Sequence, residues 1–277
     1  MKKITFQYEM QIDFSSVATN HSFTLKCIPH SDQRQEILEL QIEILPRLQC
    51  ERGTDSFGNR YIFGNYAEAH SKFYVRMTGI AVTGIQDCVT GEEDLLVLYR
   101  KNDAYTEPGK AICNAFQQFY EKRETDRETA IYMMHRLYEK FTYQSGATTV
   151  QTTAEEAMQQ GRGVCQDYSH ILLSLCRMAH IPARYVVGML EGEGASHAWV
   201  EVYSDGAWYA LDPTNNLVVT DEHVTISHGR NYRDCIINKG VFCGGGSQVQ
   251  TVQVKLTGSP MDTMPAVLEM AAIHRKG

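Results

Sequence analysis

Residues 161–182, GRGVCQDYSHILLSLCRMAHIP, and residues 196–214, SHAWVEVYSDGAWYALDPT, decide how this chain folds. In the first stretch Gly161 and Gly163 let the backbone turn sharply. Val164, Tyr168, Ile171, Leu172, Leu175 and Met178 then recur at helical spacing, which predicts a core-anchored helix over about 164–180, closed by Pro182. Cys165 falls in its first turn, where unpaired backbone N–H groups and the positive end of the helix dipole favour a negative charge. In the second stretch Asp205-Gly206 is a two-residue hairpin signal. A turn there sets Trp199 opposite Asp212 and puts His197, Trp199, Glu201 and Tyr203 on one face. Trp208, Ala210 and Asp212 share that face from the returning strand, so His197 and Asp212 become diagonal neighbours within hydrogen-bonding reach. A three-residue loop would break this register. Pro213 cannot donate to a ladder and ends the strand at Asp212.

A buried cysteine or a strand histidine is by itself an ordinary structural residue. A cysteine at a helix start, followed by a histidine and an aspartate that one hairpin brings together, is the arrangement of a nucleophile, its base and the acid that orients the base.

Outward from these blocks, the first 95 or so residues read as β. Ile4, Phe6, Tyr8, Met10, Ile12 and Phe14 alternate strictly with polar residues. Phe23, Leu25 and Cys27 repeat the pattern, as do Phe73, Val75 and Met77, with a turn signal at 55–59. Leu38, Leu40, Ile42 and Ile44 alternate too, although a helix fits there as well. Helices are expected over 107–124, opening at Pro108, and over 126–141, where Ile131, Met134, Tyr138 and Phe141 line one face. A Gly/Thr-rich loop (145–153) and a short helix precede Gly161. Strands are expected at about 184–190, 197–204 and 207–212, with a final one at 248–257. The fold class is therefore α+β: an antiparallel sandwich-like N-terminal domain (1–95), then a core with the nucleophile helix packed on an antiparallel sheet (96–260). The last strand is positioned to return to the N-terminal domain, and 261–277 form a tail.

The chain has 277 residues, 43% hydrophobic and 21% charged, with net charge −7 and a pI near 5.8. That is ordinary for a globular protein and argues against a nucleic-acid surface, which needs clustered Lys and Arg. No apolar run approaches the roughly 20 residues of a membrane-spanning helix. After Met1-Lys2-Lys3 the alternation begins at once, where a signal peptide would need an unbroken apolar core, so an unexported, cytoplasmic protein is expected. The eight cysteines show no CxxC pair, and reduced thiols are expected.

The runs GVCQDYSHILLSLCRMAHIPARYVVG and HAWVEVYSDGAWYALDPTNN closely resemble the bacterial transglutaminase-like superfamily, whose members share a papain-like core. The DSFGN segment and the tail HGRNYRDCIINKGVFCGGGS resemble the N-terminal β domain and tail of the same proteins. The resemblance implies that Cys165 is the nucleophile, His197 the general base and acid, and Asp212 the residue that orients His197. It implies attack on an amide carbonyl through a thioester, with no cofactor and no metal. Hydrolysis of a peptide or amide substrate is expected; transfer to an amine is the alternative within the enzyme class. A non-catalytic binding module is the alternative outside it. A metal site built from Cys165, His197 and Asp212 is the remaining possibility.

The oxyanion needs hydrogen-bond donors, one being the backbone N–H of Cys165. Gln159, six residues earlier, has the offset of the oxyanion glutamine in papain-type proteases, and Gln166 is a second candidate. Both read equally as plain helix residues. Trp199 is expected to pack near the site, either walling the cleft or as plain core, and Asp167 to cap the helix. His170 lies on another helix face and is a poor base. Arg230, Tyr232 and Arg233 read as a solvated surface, with the lining of a substrate cleft as the alternative. Gly244–Gly246 lacks the Lys and Ser/Thr of a phosphate loop and reads as a turn.

Overall fold

The computed structural model describes residues 1–91 and 94–261. The chain opens with strands β1 (Lys2–Leu25), β2 (Gln35–Leu45), β3 (Glu51–Thr54), β4 (Arg60–Tyr66), β5 (His70–Thr83) and β6 (Cys88–Thr90). A helical section follows: α1 (Leu96–Tyr99), α2 (Lys110–Phe119), α3 (Asp126–Lys140), the short β7 (Thr142–Tyr143), α4 (Ala154–Gln160), β8 (Arg162–Gly163) and α5 (Cys165–Met178). The rest is β: β9 (Ala183–Leu190), β10 (Gly192–Gly194), β11 (His197–Ser204), β12 (Ala207–Asp212), β13 (Leu217–Val218), β14 (His223–Gly229), β15 (Asn238–Gly244) and β16 (Gln248–Pro260), with a 3₁₀ turn at Tyr232–Cys235. No helix among the described residues is long and apolar enough to cross a membrane.

Two sheets organise the molecule. In the N-terminal sheet β1 is the hub. Its first half pairs with β5 and β16, and its second half with β4 and β15, all antiparallel. The changeover falls at the break in register between Asp13 and Ala18. The inward side chains of β1 predicted from alternation, Ile4 to Phe14, are all buried. The core sheet runs β13-β12-β11-β9-β14, with β6 on β12. Met189, Val224 and Ile226 from its β9 and β14 join the apolar cluster under the N-terminal sheet. The core sheet thus supplies part of the second layer of the sandwich. On the other side Ile171, Leu172 and Leu175 of α5 pack with Val187, Val200 and Leu211 of the same sheet.

Several boundaries differ from the sequence reading. The helix expected over 107–124 starts at Lys110 and ends at Phe119, with Pro108 outside it. Its first N–H groups are satisfied from a distance: Glu155 accepts from the backbones of Gly109, Ala111 and Ile112 at 2.8–3.0 Å. The stretch 35–45 is a strand, because its alternation pairs in register with β5. Between Asp212 and residue 248, where the sequence reading assigned no strand, lie β13, β14 and β15, and β14 is an edge strand of the core sheet. Strand 248–257 extends to Pro260 and does return to the N-terminal sheet, with Phe6 opposite Leu256. The two-domain division at 95 is not clean. Strand β6 belongs to the core sheet, while β10, β15 and β16 belong to the N-terminal one. Of the tail assigned to 261–277, residues 262–277 lie outside the described residues.

Candidate active site

The nucleophile helix begins where the sequence places it. Val164, in extended conformation, caps α5, and Cys165 is its first residue. The Asp167 carboxylate folds back to accept from the Val164 N–H at 2.7 Å and from the Thr148 hydroxyl at 2.6 Å. This fold-back explains Gly163: a β-carbon there would stand 2.3 Å from the Asp167 carboxylate. Asp167 is 1% exposed, and burial pushes its carboxyl up despite those bonds. At the far end of α5 the buried Arg177 donates to the carbonyls of Tyr99, Ala183 and Arg230 and to the Thr106 hydroxyl. Both ends of the helix carrying Cys165 are therefore fixed.

The base and its partner come from the hairpin. Asp205 and Gly206 both have positive φ (51° and 82°), as a type I′ turn requires, and Ser204 pairs with Ala207. Val200 pairs with Leu211 in the predicted register, and His197 Nε2 lies 2.7 Å from Asp212 Oδ2. With Nε2 held by the carboxylate, Nδ1 is the ring nitrogen left for Cys165, the other group that acts on this imidazole. Burial works against a charged His197, but Asp212 and Cys165 outweigh it and push the imidazole up to about 10.

Asp212 is fully buried. Besides His197, it accepts from the backbones of Thr214 and Asn215 at Oδ1 (3.0 and 3.2 Å) and from the Asn215 side chain at Oδ2 (2.8 Å). A second imidazole, His223 of β14, sits 3.2 Å from the same Oδ2. Burial alone would raise the Asp212 carboxyl; bonds from His197 and His223 hold it well below the usual carboxylate range. His197, Asp212 and His223 bring three possible ligand atoms within 4.8 Å of one another. Asp212 already serves five donors there, so we read the grouping as a hydrogen-bond network.

The other candidates fall as follows. Trp199 is fully buried with its ring 6.2 Å from His197, so it backs the imidazole from inside the core. Gln166 is buried and donates to the Val150 carbonyl at 3.2 Å. Gln159 is exposed and donates to Glu155 at 2.9 Å on its own helix. Each of these bonds uses one of the two N–H donors of its amide. His170 is wholly buried, accepts from the Tyr232 N–H, and is pushed down to about 3 by burial, so it stays neutral. Arg230 pairs with Asp234, whereas Tyr232 and Arg233 are not plain solvated surface. Both line a groove of about 1680 Å³ between the N-terminal sheet and the loops that carry Tyr105, Val150 and Gln151. Gly244–Gly246 is a turn with three positive φ values, and every described cysteine is free. Sequence reasoning missed His223 and Asn215. The alternation of Val224 and Ile226 was the available signal for β14, but pairing of β14 with β9 is what aims His223.

Comparisons with known proteins bear on the family and the fold. Residues 114–213 match the transglutaminase-like superfamily core, and residues 4–82 match the bacterial transglutaminase-like N-terminal region. An uncharacterized protein of Mycobacterium leprae is 28% identical over 265 residues, covering 88% of this chain and 94% of the relative. An uncharacterized protein of Mycobacterium tuberculosis is 33% identical over 123 residues, 39% of each chain. A solved structure from Cytophaga hutchinsonii, provisionally designated a cysteine protease, shares the fold with a TM-score of 0.78 at 22% identity, covering 95% of this chain and 93% of that one. The chain belongs to the bacterial transglutaminase-like superfamily.

Proposed function

We propose that this transglutaminase-like chain is a cysteine-dependent hydrolase of amide or peptide bonds, acting through a thioester on Cys165. The observation that carries the reading is the series Cys165–His197–Asp212: a thiol at a helix start, an imidazole whose charged form that thiol and a carboxylate both favour, and the buried carboxylate itself 2.7 Å from the imidazole's Nε2.

The chemistry follows from those positions. Nδ1 of His197 takes the Cys165 proton, and the thiolate attacks the carbonyl carbon. The negative oxygen that forms meets the Cys165 backbone N–H, left free by the helix start. As the C–N bond breaks, the imidazolium returns its proton to the departing amine, leaving a thioester. His197 then takes a proton from water, whose oxygen attacks the thioester and releases the acid and the thiol. Asp212 keeps its proton-free state throughout and holds the ring with Nδ1 toward the sulfur. The groove is lined in part by Val150, whose carbonyl accepts from Gln166 beside the nucleophile, and this supports an extended peptide as substrate.

The test is the alkylation rate of each cysteine against pH, followed by mass spectrometry, in wild type and His197→Ala. Rapid modification of Cys165 at about pH 6, where an ordinary thiol is almost wholly protonated, and slowing in the variant are expected. Reaction only above about pH 8, unaffected by the variant, would sink the catalytic reading in favour of a binding module. For an active protein, peptide cleavage in the presence and absence of a primary amine separates the two fates of the thioester. Acid product in both supports hydrolysis, and an amide adduct with added amine supports transfer.

A further inference from the structure

Asp212 carries two histidines on one oxygen. His197 Nε2 is 2.7 Å from Oδ2, and His223 Nε2 is 3.2 Å from it. The two rings stand 5.9 Å apart and reach the carboxylate from different strands, β11 and β14. His223 is 5% exposed, and its other nitrogen, Nδ1, has no hydrogen-bond partner. Trp199, fully buried, meets the His223 ring edge-on at 5.1 Å and fills the space beside it.

These contacts determine the form of His223. Its one polar partner is an ionised carboxylate oxygen, which can only accept, so the ring proton belongs on Nε2. Protonating Nδ1 as well would leave a buried N–H unsatisfied beside an imidazolium at His197. The charged and titratable groups facing it are Asp212 from β12, His197 from β11 and, at longer range, Arg34. Arg34 and a charged His197 both oppose a second positive charge, and burial does so more strongly.

Oδ2 therefore has three donors: His197, His223 and the Asn215 side chain. A carboxylate oxygen divides its negative charge among its donors, so each takes less. The carboxylate does not need His223 to stay in place, because Thr214 and Asn215, in the turn that follows it, already supply three bonds. We infer that His223 is a positioning residue that shares Oδ2 with His197 as a neutral donor and so limits how firmly Asp212 holds the His197 imidazolium. The purpose is chemical. An imidazolium bound too tightly is a poor acid toward a leaving amine, and the second histidine loosens it without moving it. This inference rests on the catalytic reading above.

The experiment needs no substrate. Anionic iodoacetate is drawn to the thiolate by the adjacent imidazolium, whereas neutral iodoacetamide is not, so their rate ratio at Cys165 falls as His197 loses its proton. The ratio is measured against pH in wild type, His223→Phe, His223→Gln and His223→Asn. Phe keeps the ring against Trp199 but removes the donor. Gln extends an amide N–H to about the position of Nε2, and Asn stops short of it. The fall in the ratio is expected to move up by about half a pH unit or more in His223→Phe, to return in His223→Gln, and to stay displaced in His223→Asn. In wild type, nitrogen-15 histidine NMR should show His223 as the Nε2–H tautomer, without titration from about pH 5 to 9. An unmoved or downward-moved fall in a folded Phe variant overturns the inference, as does an Nδ1–H tautomer. A wild type whose ratio never depends on pH refutes the catalytic reading itself, a result distinct from either.

Discussion

Gly188 of β9 lies directly opposite His197 of β11, and it is there because Trp199 needs its space. A β-carbon at Gly188 would stand 2.4 Å from the Trp199 ring and 2.2 Å from the Val224 carbonyl of β14. Strands β11, β9 and β14 close around the missing side chain, and that closure brings His223 to Asp212.

Gly188→Ala is accordingly expected to force Trp199 toward His223 and to part β9 from β14. Overpacking of this kind costs about 1–3 kcal/mol. Urea unfolding gives the stability loss, and the alkylation rate of Cys165 should fall in the same protein. A variant as stable and as reactive as wild type would show that the strands absorb the methyl elsewhere.

Glu201 joins the two sheets by charge. At 3% exposure it accepts from Arg184 at 2.6 and 2.7 Å and from Arg34, just before β2, at 3.0 Å. Burial would raise its carboxyl, but the arginines hold it down as a carboxylate. Glu201→Ala leaves two buried guanidinium groups without it, so a loss of about 3–5 kcal/mol is expected. Because Arg34 belongs to the N-terminal part, thermal unfolding should also split into two steps. A single transition with an unchanged midpoint would contradict this role.

The His197–Asp212 pair gives stability a defined pH window. His197 is raised in the folded state, so its contribution is complete below its unfolded value of about 6.5 and disappears as pH climbs through about 10. Asp212 is depressed, so its contribution is complete above about 3.9 and disappears as pH falls through its lower folded value. Between about pH 4 and 6.5 both are present. Urea midpoints of wild type and His197→Ala should differ most in that window and converge toward pH 10. A constant difference across the alkaline range would mean that the imidazole is not held charged.

How much of this was legible in the sequence depends on the range of the interactions involved. The alternation in β1, the stripe on α5 and the Asp205-Gly206 turn are local, and each is a matter of backbone period or positive φ. They sufficed for the fold class, for Cys165 at a helix start and for His197 beside Asp212, since a hairpin of known loop length has only one register. The helix at Lys110–Phe119 was misplaced because its start is capped by Glu155, far along the chain. The division at residue 95 is crossed for a similar reason: β6 pairs with the core sheet, and β10 and β15 pair with the N-terminal sheet, across long separations in sequence.

The sequence by itself determined where the proposed triad of Cys165, His197 and Asp212 falls, because His197 and Asp212 are separated by one tight turn and Cys165 opens a helix. Only the tertiary structure decided what surrounds those residues. His223 reaches Asp212 through a strand pairing that no local pattern specifies, and the Gln159 and Gln166 amides find partners at Glu155 and Val150. Side chains on one turn are placed by backbone geometry, whereas those on separate strands are placed by which edges meet, a choice made by burial summed over the whole sheet.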